Sequence, residues 1–166
     1  MDRDETLSAA PDEFVLRIGA APDEALARAR RLGAVEALES APQLRLLRVR
    51  GAAGAKEAWQ SATRELGAAT PLFPVLYDRD KVAHYPTGEV TVRFEATPTD
   101  AQLRSFCDRQ RLRLLRRNEF VAQQVVCEAT APASEFLPDL VARLAAQPGV
   151  RAAWANTRSR YRRAST

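Results

Sequence analysis

Two stretches of the chain lie on each other without a gap: EFVLRIGAAPDEA, Glu13 to Ala25, and EVTVRFEATPTDA, Glu89 to Ala101. Each joins an alternating apolar run to Ala-x-Pro and an acid, the pattern of a strand followed by a helix start. Further along, Trp59, Ala62, Thr63 and Leu66 match Leu137, Leu140, Val141 and Leu144. Their i, i+3, i+4, i+7 spacing marks one apolar helix face. A short turn containing proline then leads to another apolar run in both copies. A chain built this way repeats one supersecondary unit.

Within each copy the signals run strand, helix, strand, strand, helix, strand. The first copy predicts elements at Phe14–Ile18, Asp23–Leu32, Val35–Glu39, Leu44–Val49, Ala55–Leu66 and Leu72–Tyr77. The second predicts them at Val90–Phe94, Thr99–Gln110, Leu112–Arg117, Gln123–Glu128, Glu135–Ala146 and Val150–Trp154. Thr99 and Ser134 are candidate N-caps, since a hydroxyl accepts from a free N–H of the first turn. Pro138 fits only a first turn and moves the last helix start toward Leu137. The order predicts an α+β protein of two tandem ferredoxin-like βαββαβ plaits, antiparallel sheets with helices on one face. The divisions are a disordered segment over 1–12, a first plait over 13–77, a linker over 78–88, a second plait over 89–156 and a basic tail over 157–166.

Composition supports a folded chain: 46% of the 166 residues are hydrophobic and 28% charged. The net charge of +4 is uneven, with arginine concentrated in 104–117 and 151–163 and acid in 2–13. Such asymmetry suits an acidic partner surface or nucleic acid. The N-terminus carries acids where a secretory signal has a basic region, and no apolar run approaches membrane-spanning length. The expectation is a soluble, cytoplasmic protein with no membrane partner, secreted if the chain is a fragment of a longer precursor.

The chemistry of catalysis is sparse. His84 is the one histidine, beside Tyr85 and Pro86 in the linker, where it is expected to face water. There is no Gly-x-Ser-x-Gly turn, Walker loop, Gly-x-Gly-x-x-Gly, His-Glu-x-x-His or Cys-x-x-Cys. The reading is a protein that is not an enzyme, without cofactor or metal. Cys107 and Cys127, on a predicted helix and strand, read as buried thiols acting as small hydrophobes. RNA binding by a plait calls for aromatics on its central strands. The third strands here read LRLLRV and QQVVCE, which disfavours nucleic acid.

The second copy carries a resemblance. GEVTVRFEATPTDAQL, LRLLRRNEFVAQQVVCEA and VARLAAQPGVRAAWAN are similar, in that order, to the N-terminal propeptides of subtilisin-like serine proteases, particularly the fervidolysin type. The match spans Glu89 to roughly Arg160, and Pro148, Gly149, Val150, Ala153 and Asn156 fill the closing motif. The resemblance implies a propeptide or stand-alone propeptide-like domain that inhibits a subtilisin-like catalytic domain and assists its folding, in cis or in trans. The open sheet face packs on the protease, and the tail of Asn156, Thr157, Arg158, Ser159, Arg160, Tyr161, Arg162 and Arg163 lies in its active-site cleft. Main-chain pairing of an extended peptide with a substrate-binding edge supplies the affinity. Arg160, Arg162 and Arg163 suit pockets lined with carboxylates. The resemblance also places the hairpin residues Glu119 and Phe120 against the protease. The outward set on its third strand is Gln123, Val125 and Cys127 or, one residue on, Gln124, Val126 and Glu128; alternation does not choose between them. The alternative is a tandem-plait interaction module that senses a ligand or oligomerises.

Overall fold

The computed structural model describes residues 6–19, 22–39, 41–51 and 53–159. They form a mixed α+β protein of four α-helices and eight strands. The chain divides into two compact units, Met1–Pro86 with Thr157–Thr166, and Thr87–Asn156.

In the first unit the order is β1 (Ser8–Arg17), α1 (Pro22–Leu32), β2 (Gly33–Ala37), β3 (Leu44–Val49), α2 (Ala55–Leu66) and β4 (Leu72–Tyr77). The strands lie side by side as β2-β3-β1-β4, each neighbouring pair antiparallel. Phe14, Leu16 and Leu47 are fully buried on the face that carries the helices, beneath Ala58, Trp59 and Ala62 of α2. The Trp59 indole N–H donates to the Leu72 carbonyl at 2.8 Å, so the largest side chain of α2 is also pinned by its polar edge. Val15, Leu46 and Val75 point the other way and form a second apolar cluster with Ala10, Leu38, Ala41, Leu44 and Tyr85. This sheet is therefore apolar on both faces. Its back is covered by the segment after β2 and by the start of the next strand.

The second unit repeats the plan. β5 (Ala83–Phe94) enters it, followed by α3 (Asp100–Gln110), β6 (Leu112–Arg117), β7 (Gln124–Ala129), a 3-10 turn (Pro132–Ser134), α4 (Leu137–Ala145) and β8 (Val150–Arg158). β7 lies between β6 and β5, and β8 pairs with β5, giving β6-β7-β5-β8. By chain position both sheets have the order second, third, first, fourth. Val90, Val92, Val125 and Cys127 are fully buried. Phe94 meets Phe106 of α3 edge to face at 5.0 Å. Thr99 caps α3 as expected, in a reciprocal capping box with Gln102. α4 starts at Leu137 with Pro138 in its first turn, also as expected, but Ser134 lies in the 3-10 turn and bonds Ala131 rather than capping the helix.

Three expectations are corrected. β1 begins at Ser8, inside the segment expected to be disordered; an irregularity between Ala9 and Phe14 hides its alternation. Residues 78–88 are a hairpin and the first half of β5 rather than a loose linker. Asp78 builds the turn, its Oδ1 accepting the backbone N–H groups of Asp80 and Val82, both at 2.9 Å. Finally, β8 runs to Arg158, four residues past the expected end.

Candidate protein-docking surface

The β6–β7 hairpin is built around Asn118. Its Oδ1 accepts from the backbone N–H of Phe120 at 2.8 Å and of Val121 at 3.0 Å, and its own N–H donates to the Gln124 carbonyl. Such an Asx arrangement holds a turn without long-range contacts. At its tip Phe120 is 94% exposed, with Glu119 exposed beside it. At the base, Arg117 donates to the Pro98 carbonyl and to the Asp100 carboxylate at 2.8 Å, which joins the hairpin to the start of α3. A rigid turn thus presents a bare aromatic ring.

The register settles which residues of β7 face away from the helices. Cys127 stands opposite Leu114 of β6, which lines a cavity with Leu103 and Cys107 of α3, so Cys127 and Val125 belong to the core face and Gln124, Val126 and Glu128 to the back. That back is polar. Glu89 of β5 stands directly opposite Glu128 of β7, two like charges at neighbouring positions. Arginines from β6 separate them: Arg113 pairs with Glu128, and Arg116 forks onto Glu89 at 3.1 and 3.3 Å. The Glu89 hydrogen bond raises the pKa of Arg116 above its ordinary value, keeping it a cation.

Asn156 ends this network. Its Oδ1 accepts from the Thr91 hydroxyl at 2.7 Å, its amide donates to Glu89 at 3.3 Å, and its carbonyl accepts from Thr87 at 3.4 Å. The first residue of the expected tail is therefore a fixed part of the sheet. Thr157 and Arg158 continue in β8, Ser159 follows exposed in a bend, and Arg160, Tyr161, Arg162 and Arg163 lie outside the described residues.

His84 does not face water. Its Nε2 lies 2.9 Å from Asp78 Oδ2, its Nδ1 lies 3.5 Å from the Thr157 hydroxyl, and its side chain is 16% exposed. The His84 hydrogen bond, helped by the Val82 N–H, holds the Asp78 carboxyl below its ordinary value. Acid, imidazole and hydroxyl stand in the order of a nucleophilic relay, but the hydroxyl is at the limit of hydrogen-bond distance. The arrangement clips the end of β8 to β5. Sequence reading missed it because Asp78 and His84 looked like linker residues. The one available signal was an Asp placed to nucleate a turn six residues before a histidine.

Among the described residues no cluster of three or more His, Cys, Asp or Glu could hold a metal ion, and no helix is long and apolar enough to cross a membrane. No protein-family model matches the chain, and no curated protein matches it at a significant level.

Proposed function

We propose that the chain is a tandem pair of ferredoxin-like plaits whose second copy acts as a propeptide-like inhibitor and folding assistant of a subtilisin-like serine protease. The repeated strand order, with α2 and α3 each packed on one face of its own sheet, supports the plait assignment. The observation that carries the function is Phe120. The backbone that carries this ring is pinned by Asn118 before binding, and nothing in folding rewards the ring's 94% exposure. It serves as the apolar anchor of a protein interface. Glu119 beside it suits the N-terminus of a partner helix. The same unit supplies a polar sheet back and, through β8, an extended exit toward the arginine-rich C-terminus. That C-terminus occupies the protease cleft as an added strand.

The test is inhibition of the host's subtilisin-like proteases by the full chain, by Phe120→Ala and by a chain ending at Arg158, which leaves the Asn156 network whole. Each change is expected to weaken inhibition at least about tenfold, or about 1.4 kcal/mol. Equal inhibition by all three would remove both contacts from the proposal. No inhibition and no acceleration of protease refolding by the full chain would favour the tandem-plait interaction module instead.

A further inference from the structure

A cavity of about 480 Å³ opens within the second unit where α3 ends, completed by the segment after β7 and by α4. Part of its wall is a polar network that is neutral in itself. Arg143 holds Glu135 through Nε at 3.0 Å and a terminal nitrogen at 2.9 Å, and it also donates to the Gln110 side chain, which donates in turn to Gln147 at 3.1 Å. Leu140 adds an apolar surface. Arg109 and Arg111 line the same space, both exposed, and among the described residues neither guanidinium meets a carboxylate. That sets them apart from Arg113, Arg116, Arg117 and Arg143 of this unit, each of which does. With Glu135 cancelled by Arg143, the lining keeps the two positive charges of Arg109 and Arg111.

Arg111 stands at a position that ending a helix does not reserve for arginine. Its φ of 56° and ψ of 48° are left-handed, a region where a Cβ is disfavoured and helix ends usually place glycine. The main chain there is fixed: the Arg111 N–H donates to the Asp108 carbonyl at 3.4 Å, and its carbonyl accepts from the Thr130 N–H at 3.0 Å and hydroxyl at 3.1 Å. Glycine would make all three bonds. A basic side chain is favoured near a helix C-terminus, but Arg109 in the last turn already supplies one. We propose that this cavity binds a small phosphate monoester bearing hydroxyl groups, a sugar phosphate or a nucleoside monophosphate. At neutral pH such a phosphate carries roughly two negative charges, which two guanidiniums match through charge-assisted bonds. The hydroxyls of the ester find acceptors on Glu135, whose carboxylate has lone pairs beyond those that Arg143 takes. The volume falls in the range of small-ligand sites, about 300–1,000 Å³. The Phe120 hairpin has no part in the site, so the proposal does not depend on protease inhibition.

The experiment is isothermal titration of the folded full chain with ribose 5-phosphate, adenosine monophosphate, inorganic phosphate and ribose. At least one ester is expected to bind saturably and more tightly than inorganic phosphate, with no binding of ribose; the tighter ester assigns the ligand to sugar phosphates or to nucleotides. Arg111→Gly is expected to melt no lower than wild type, since glycine suits the left-handed backbone, and yet to weaken binding at least about tenfold. Arg109→Gln is expected to do the same to binding. Arg104→Gln removes an equal charge from the same helix outside this lining and is expected to leave affinity within about twofold. No saturable binding of either ester, inorganic phosphate bound as tightly as both esters, or a loss with Arg104→Gln equal to that with Arg111→Gly would each overturn the proposal.

Discussion

Replacing Asn156 by alanine tests whether the last residue of the second unit belongs to the sheet or to a free tail. The change removes the bond accepted from Thr91 and the bond donated to Glu89. The two losses differ in weight. Glu89 retains Arg116 and 29% side-chain exposure, so its carboxylate is resolvated at little cost. Thr91 is 3% exposed, and its hydroxyl is left buried without this partner, a loss of about 1–3 kcal/mol. The expected destabilisation is about 2 kcal/mol. Urea unfolding read by Trp154 reports this unit, with Trp59→Phe in every arm to silence the other indole. At a slope of about 2 kcal/mol per M the midpoint falls by about 1 M. A second arm adds Thr91→Val, which deletes the hydroxyl while keeping the shape. In that background Asn156→Ala is expected to cost about 1 kcal/mol less, since no buried donor remains to be orphaned. A cost below about 0.5 kcal/mol, or an equal cost in both backgrounds, would refute the reasoning.

Gly33→Ala is expected to cost about 3 kcal/mol or more, because a Cβ there would stand 1.7 Å from the Arg48 carbonyl oxygen across the β2–β3 ladder; a thermal melt within a few degrees of wild type contradicts this. Phe120→Ala should leave stability within about 0.5 kcal/mol by urea titration despite deleting a large apolar side chain, since the ring is exposed; a larger loss means the ring packs on something. Asp78 has a depressed pKa in the fold, so its contribution is present above the unfolded value of about 3.9 and disappears as pH falls through the folded value. Asp78→Asn should therefore be less stable than wild type at neutral pH, with the gap closing below about pH 4; a gap that persists in strong acid is the opposing result.

The fold was legible where each element carries its own period. β3, α2, β4 and β6 fall on the residues that alternation and the helical stripe mark out. Legibility failed where a local rule met a tertiary exception. Pro86 and Gly88 read as linker signals, yet β5 runs through them. Pro86 lies between the ladder to β4, which ends at His84, and the ladder to β7, which begins at Glu89, and so its missing N–H breaks neither. The hairpin residues Glu119 and Phe120 could be named from the sequence, but the asparagine that holds them rigid could not. The face of β7 was undecidable from alternation because Gln124, Val125, Val126 and Cys127 offer no clean change between apolar and polar. The pairing of Cys127 with Leu114, which lines a cavity with residues of α3, decides it.

A chain that contains the same βαββαβ unit twice carries a hazard during synthesis, because a strand of one copy can insert into the sheet of the other. The two backs oppose this exchange. The positions of Leu44 and Leu46 in β3 correspond by register to Gln124 and Val126 in β7, and Val15 of β1 corresponds to Thr91 of β5. Swapping β7 into the first sheet would set Gln124 and Glu128 where Leu44 and Arg48 stand, against Leu38 and Ala41 and the Glu13 carboxylate. Divergence of the two halves therefore acts as proofreading, penalising hybrid sheets while the nascent chain is still choosing its partners.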